Sequence, residues 1–279
     1  MISENGFVLE NDVEMPFIGY GTYKVKENGE KIILDALEAG YRHLDTARKY
    51  GNEAEIGRAL KESGLKRKEF FLTSKVWKDD LGYDATMRSF EASLKDLGVN
   101  YLDLFLIHWP MPNPRADWRT LDAESWKALE KLYNEGAVRA IGVSNFLPHH
   151  LMHLMKHAEI QPMVNQLEYH PGYIQQTAVN FSQAKGLQVS AWSPLGRTRV
   201  LQEPLLLELA EKYGKSPAQI CIRFALQNNI MPLPKSSSLE RMRENLDVFD
   251  FEITLEDMYR LMTLPQTGWS GQHPDTFEG

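Results

Sequence analysis

The chain is short of several things, and each absence closes off a class of protein. It has one cysteine in 279 residues, Cys221, so no internal disulfide can form, which fits a reducing compartment. Cys221 lies in the apolar stretch AQICIRFAL. Buried filler is the expected role there, with a nucleophile as the remote alternative. No run reaches the roughly eighteen apolar residues that a membrane helix needs. The opening MISENGFVLEN has no basic stretch leading into an apolar one, so a cleaved leader is not expected. Positive charge is in deficit: 31 Lys and Arg against 38 Asp and Glu give a net charge of -7, which leaves no basic footprint for nucleic acid. No linker or low-complexity tract divides the chain, and a single domain over residues 1–279 in the cytoplasm is expected.

What is present is alternation. FVLENDVEM reads as a hairpin turning at Asn11-Asp12. Eight β-like runs follow: PFIGYGT, YRHLDT, FFLTSKV, LDLFLIHW, VRAIGVS, PMVNQ, QVSAWS and NIMPLP. Between them lie helical patterns at 29–39, 54–62, 84–97, 124–134, 150–157, 175–185, 204–213 with 217–227, and 239–246. Ser216-Pro217 has the form of a helix start, a serine cap before a proline in the first turn. Eight strand-plus-helix units imply an α/β fold, a (β/α)8 TIM barrel with an N-terminal β-hairpin and a short C-terminal tail after a last helix near 255–263. A doubly wound open sheet would want a glycine fingerprint after its first strand, and GYGTYK is not GxGxxG.

In such a barrel the C-terminal ends of the strands face one pocket. Those ends place four titratable groups on three consecutive strands: Asp45, Tyr50, Lys75 and His108. The chemistry they suggest is proton transfer to a carbonyl oxygen. A phenol near pKa 10 is a weak acid at neutral pH, and a nearby ammonium would lower that value. A carboxylate beside the lysine would keep it charged, and an imidazole could hold the carbonyl. Taken singly, each has a plainer reading: Asp45 as a helix cap, Tyr50 as a loop anchor, Lys75 as a solvated cation, His108 as a core histidine. It is their arrival at adjacent strand ends that favours a site.

With these residues in place, the sequence resembles the aldo-keto reductases, over nearly the whole chain. The resemblance is carried by GYRHLDTARKYGNE, LTSKVW, YLDLFLIHWP, IGVSNF, NQLEYHP, AWSPLG and PKSSSLERMREN. It implies NADPH-dependent reduction of aldehydes and ketones, with Asp45, Tyr50, Lys75 and His108 as the catalytic set. Because the loop after AWSPLG is compact and the tail short, the flavour is that of the bacterial diketogluconate and glyoxal reductases, which implies a monomer.

The resemblance sets the nicotinamide carboxamide against Ser144, Asn145 and Gln166, with Trp192 stacked on the ring. Ser193 and Leu195 line the pyrophosphate, with Gly21 and Thr22 on the same rim. Lys235, Ser236 and Arg241 would meet the 2′-phosphate at a helix start, where anions are favoured, with Glu244 and Asn245 near the adenine. A plain capping box, Ser237 to Glu240, reads the same stretch as a surface helix. Tyr23, Trp77 and Trp109, with Trp269 from the tail, would wall the substrate pocket. Arg48 and Lys49 depart from the apolar or small residues expected before Tyr50. At least one should point to solvent, because a buried unpaired charge is costly.

His149, His150, His153 and His157 have helical spacing that mimics zinc ligands. No HExxH is present and no carboxylate joins the row at the right offset, so a polar helix face is expected and no metal. Two other functions stand beside the reductase: a Schiff-base aldolase with Lys75 as nucleophile, and a cofactor-loaded regulatory subunit with weak turnover.

Overall fold

A computed structural model describes residues 2–110 and 117–277. Eight parallel strands follow one another around a barrel: β3 (Tyr20–Gly21), β4 (His43–Asp45), β5 (Phe71–Val76), β6 (Leu102–Ile107), β7 (Val138–Ser144), β8 (Val164–Glu168), β9 (Gln188–Trp192) and β10 (Ile230–Leu233). Each pairs with its sequence neighbour. The ends of the row are joined by Gly19 N–H to Pro232 O at 3.0 Å and Gly21 N–H to Pro234 O at 3.1 Å. Glycine is needed at this seam: a Cβ on Gly21 would stand 3.0 Å from the Leu233 carbonyl oxygen. The strands are buried almost throughout, which is why they read as continuous apolar runs rather than as alternating ones.

The hairpin, β1 (Gly6–Val8) and β2 (Glu14–Pro16), pairs antiparallel with Phe7 opposite Met15. Phe7, Leu9, Val13 and Met15 pack against Phe71, Leu104, Ala140 and Met231, plugging the barrel at its N-terminal end and leaving the other end for a site. Ten α-helices lie among the described residues: α1 (Gly29–Ala39), α2 (Glu53–Glu62), α3 (Tyr83–Leu97), α4 (Trp118–Asn134), α5 (Pro148–His157), α6 (Gln176–Ala184), α7 (Pro204–Tyr213), α8 (Pro217–Gln227), α9 (Leu239–Leu246) and α10 (Leu255–Met262). None is long and apolar enough to cross a membrane.

Two helix starts differ from the sequence reading by more than one residue. α4 begins six residues before the expected Glu124, because the Asp117 side chain caps it, accepting from Arg119 N–H at 3.1 Å. α5 begins at Pro148 rather than His150, with proline in its first turn. Cys221 is fully buried on α8 among Leu167, Val189 and Ile220, the filler role expected of it.

Candidate active site

The loop from β4 to α2 is built to present one side chain. After Asp45 the chain enters a one-turn 3-10 helix, Arg48–Tyr50, closed by Tyr50 N–H to Ala47 O at 2.9 Å and ended by Gly51 at φ 66°. Asn52 fixes this turn to the barrel: its Nδ2 donates to Thr22 O at 2.9 Å and Val25 O at 3.1 Å, and its Oδ1 accepts from Thr46 Oγ1 at 3.0 Å. Thr22 in turn donates from N and Oγ1 to Asp45 O. Asn52 thus anchors the loop from a buried position, a function the sequence reading missed; the GNE that follows Tyr50 was its only trace.

The four expected groups do converge. Lys75 is fully buried, and its Nζ donates to Asp45 Oδ1 at 2.6 Å and Thr46 O at 2.8 Å. The same ammonium lies 5.3 Å from the Tyr50 ring centroid. The Tyr50 and His108 rings meet edge-on at 5.6 Å, and Trp77 meets His108 at 5.1 Å. Among the described residues the Tyr50 hydroxyl has no hydrogen-bond partner.

The electrostatics correct one expectation. Lys75 was to lower the Tyr50 pKa, but burial and the Asp45 carboxylate push the phenol well above its ordinary range. The lysine charge is committed to Asp45, so little of it is left to favour a phenolate. Burial lowers Lys75 itself, while Asp45 opposes that shift. Burial, reinforced by the Lys75 charge, holds His108 far below its ordinary value, so the ring is neutral. Its Nδ1 is buried with no partner. An orphaned N–H costs more than an orphaned lone pair, which favours the tautomer with the proton on Nε2, the nitrogen that is left to face a ligand.

The expected cofactor residues form a second network that joins the first through Gln166. Gln166 Nε2 donates to Asp45 Oδ2 at 2.8 Å, and its backbone carbonyl accepts from Ser144 Oγ at 2.9 Å and Asn145 N–H at 2.8 Å. Asn145, left-handed at φ 63°, donates from Nδ2 to His108 O at 3.0 Å and accepts from Trp192 Nε1 at 2.8 Å. These bonds hold the half-buried indole in place. Ser193 and Leu195 follow it, half-buried. Arg197, missed in the sequence, stands with its guanidinium 5.7 Å from the Trp192 ring centroid and exerts a positive field on Tyr50.

At the β10 end, Ser236 accepts from Ser238 N–H at 3.1 Å, and the Ser236 carbonyl takes the Tyr20 hydroxyl. The helix cap here is Ser238, accepting from Arg241 N–H at 3.4 Å, not the Ser237-to-Glu240 box read from the sequence. Lys235 and the Arg241 guanidinium are exposed and have no carboxylate partner among the described residues, while Arg243 pairs with Glu38 at 2.8 Å. Glu244 is half-exposed on the same helix and Asn245 is buried beneath it.

Of the expected substrate walls, Tyr23 leans on Tyr50 at 5.1 Å, and Trp77 and Trp109 are buried. Phe277 from the tail joins them, 4.4 Å from Trp109 and 6.3 Å from Trp77. Trp269 does not join this wall and stacks on Tyr173 at 5.9 Å instead, because Ser270 beside it is held by Glu168 at 2.7 and 2.9 Å.

The histidine row acquires the carboxylate that local spacing could not show. Asp275 Oδ1 lies 2.9 Å from His149 Nε2 and 3.2 Å from His150 Nε2. Ligand atoms of these three residues fall within 4.8 Å of one another. His150 Nδ1 accepts from Leu147 N–H, so in the neutral ring Nε2 carries the proton and donates to Asp275. The cluster therefore works as a tether that seats the tail.

Together these features gather a phenol, a buried ion pair, a neutral imidazole and a clamped indole at the C-terminal end of a (β/α)8 barrel. The chain belongs to the aldo/keto reductase family, whose model matches residues 17–264. It is 46% identical over 269 residues to the glyoxal reductase of Bacillus subtilis, a match covering 96% of this chain and 95% of the relative. A solved aldo-keto reductase, MGS-M4, from a Medee basin deep-sea metagenome superimposes with a TM-score of 0.92 at 40% identity, covering 98% of this chain and 100% of the other. The Bombyx mori aldo-keto reductase, solved in complex with NADP, matches at a TM-score of 0.88 and 30% identity, over 98% of this chain and 99% of its own. The chain is thus an oxidoreductase of the carbonyl-reducing kind.

Proposed function

We propose that this protein reduces small dicarbonyls, keto-sugars or aromatic aldehydes to alcohols with NADPH, using Tyr50 as the general acid. The observation that carries the reading is the unpartnered Tyr50 hydroxyl, set between a sealed Lys75–Asp45 pair and a neutral His108. The bound cofactor supplies the hydride, which no side chain can. His108 Nε2–H donates to the carbonyl oxygen and orients it. Tyr50 gives its proton to that oxygen as negative charge develops there. The phenolate then left is favoured by the positive field of Arg197, the Lys75 ammonium being already engaged by Asp45. Asp45 holds Lys75 charged and, through Gln166, ties it to the carboxamide residues Ser144 and Asn145.

The cofactor fits the residues present. A half-buried, clamped Trp192 offers a face to a planar ring, and Lys235 and Arg241, on either side of the start of α9 and without a carboxylate partner among the described residues, suit a 2′-phosphate. Lys75 does not suit a Schiff base, because its Nζ is sealed by Asp45 and Thr46 and cannot reach a substrate without breaking both bonds. The reading also takes the enzyme to be a cytoplasmic monomer acting on small molecules. It is tested by following nicotinamide absorbance with glyoxal-type and aromatic aldehydes. Tyr50→Phe should lower kcat by at least about a hundredfold, the scale of a lost general acid, with NADPH binding retained. A rate within a few-fold of wild type removes Tyr50 from the mechanism. Tight NADPH binding with negligible wild-type turnover favours the regulatory-subunit reading instead.

A further inference from the structure

Arg48 and Lys49 precede Tyr50 on the same short turn, yet they part company. A 3-10 turn has about three residues per turn, so consecutive side chains leave it about 120° apart. Arg48 turns away from the pocket to Asp96 and to Glu53, whose Oε2 lies 3.5 Å from its Nη1. Lys49 turns to the mouth, where its Nζ lies 4.8 Å from the centroid of Trp77. It is exposed and has no carboxylate within ion-pair distance among the described residues.

Trp77 therefore connects two things. The Lys49 ammonium lies over it, and its ring also stands edge-on to His108 at 5.1 Å, the residue placed to hold the reacting carbonyl. The indole face attracts the ammonium over the mouth without neutralising it. Other charges border the same mouth. Lys78 donates to Phe277 O at 3.2 Å, Lys24 lies over Tyr23 at 5.5 Å, and Asp79 accepts from Trp77 Nε1 at 3.1 Å. In a chain of net charge -7, Lys49, Lys78 and Lys24 against Asp79 make this mouth a local reversal of sign.

We propose that the preferred substrates are anionic carbonyl compounds, whose carboxylate or phosphate is met by Lys49 over Trp77 while the carbonyl lies at His108 and Tyr50. This inference rests on the reductase reading and adds a specificity-determining residue to it.

The test compares para-formylbenzoate and para-formylphenyl phosphate with the neutral para-formylbenzamide, as ratios of kcat/KM, in the full-length enzyme with NADPH. In wild type the anionic aldehydes are favoured, and the preference fades as salt is raised. Lys49→Gln lowers the ratio by about threefold to fivefold, the scale of a partly exposed ion pair. Lys49→Glu lowers it further, and Lys49→Arg restores it. A larger effect for the phosphate identifies phosphorylated substrates, and one confined to the benzoate identifies carboxylates. Lys49 is exposed, so these variants fold, and general damage to the neighbouring Tyr50 would slow all three aldehydes alike. A ratio unchanged in Lys49→Gln overturns the inference even if every rate falls. Turnover of glyoxal-type dicarbonyls but of none of the three aldehydes overturns this inference alone, and absence of turnover with all of them overturns the reductase reading as well.

Discussion

Asp45→Asn would keep the shape of the side chain and remove the charge between Lys75 and Gln166. In the wild type one carboxylate oxygen accepts from Lys75 at 2.6 Å and the other from Gln166 at 2.8 Å. An amide has one oxygen to offer, so its NH2 must face a donor on one side or the other. With the oxygen toward Lys75, a neutral hydrogen bond survives, but the fully buried ammonium keeps only Thr46 O at 2.8 Å and the more distant Glu53 carboxylate to offset its charge. Removing one member of a buried ion pair costs about 3–5 kcal/mol. The lysine has one escape, to fold neutral. At pH 7 that means deprotonation three and a half pH units below its ordinary 10.5, which costs about 4.8 kcal/mol at about 1.36 kcal/mol per pH unit.

The escape bounds the loss and gives it a pH dependence of known sign. Burial lowers Lys75 already in the wild type, and without Asp45 it falls further, so between the variant's folded value and 10.5 the unfolded chain binds the extra proton and the variant's stability rises with pH. At pH 9 the bound shrinks to about 2 kcal/mol on the same scale. Urea unfolding of wild type and variant should therefore show a penalty of about 3–5 kcal/mol at pH 7 and about 2 kcal/mol at pH 9, at a common m-value. A penalty under about 1 kcal/mol, or one equal at the two pH values, would refute the claim that Asp45 keeps a buried lysine charged.

Two further outcomes follow from the same site. His108 is held far below its ordinary value by burial and by Lys75, so kcat/KM for aldehyde reduction should show no limb near the ordinary histidine value of 6.5. An acid limb at 6 to 7 that disappears in His108→Gln would show that the ring titrates in the working enzyme and would contradict the neutral assignment. Replacing both Lys235 and Arg241 by Ala should weaken NADPH by about tenfold or more while leaving NADH nearly unchanged, since charged hydrogen bonds contribute about 1.5–3 kcal/mol. Equal losses for the two cofactors, measured by fluorescence titration, would remove the 2′-phosphate from this end of the barrel.

The parts legible in the sequence are those set by local pattern. FFLTSKV and LDLFLIHW read as buried strands because both faces of β5 and β6 are covered, so apolar residues run without alternation. Asp45 and Lys75 could be joined on paper because β4 and β5 are neighbours in register, Asp45 opposite Thr73, two residues before the lysine. α4 started early because its signal was one polar residue, Asp117, next to the proline-rich MPNPRA, whose residues 111–116 lie outside the described part of the chain. The tail was out of reach for a different reason. Phe277 meets Trp109, and Asp275 meets His149 across 126 residues, and no spacing within either segment encodes such a contact.

The stretch HLDTARKYGNE shows where pattern gives out. Its residue types pointed to proton chemistry, but not to which way each charge would turn. Three consecutive side chains on a tight turn must diverge, and what awaits each one decides its use. Arg48 finds Asp96 and Glu53 and becomes a structural clamp. Tyr50 finds a pocket in which Lys75 is already engaged, so its proton is held more firmly than the residue list implied. Lys49 finds an indole and, among the described residues, no carboxylate within ion-pair distance. A cation left without an acid at a pocket mouth remains available to a ligand, whereas one already paired does not. The sequence expectation that at least one of the two would face solvent holds for Lys49, while Arg48 is half-buried and paired.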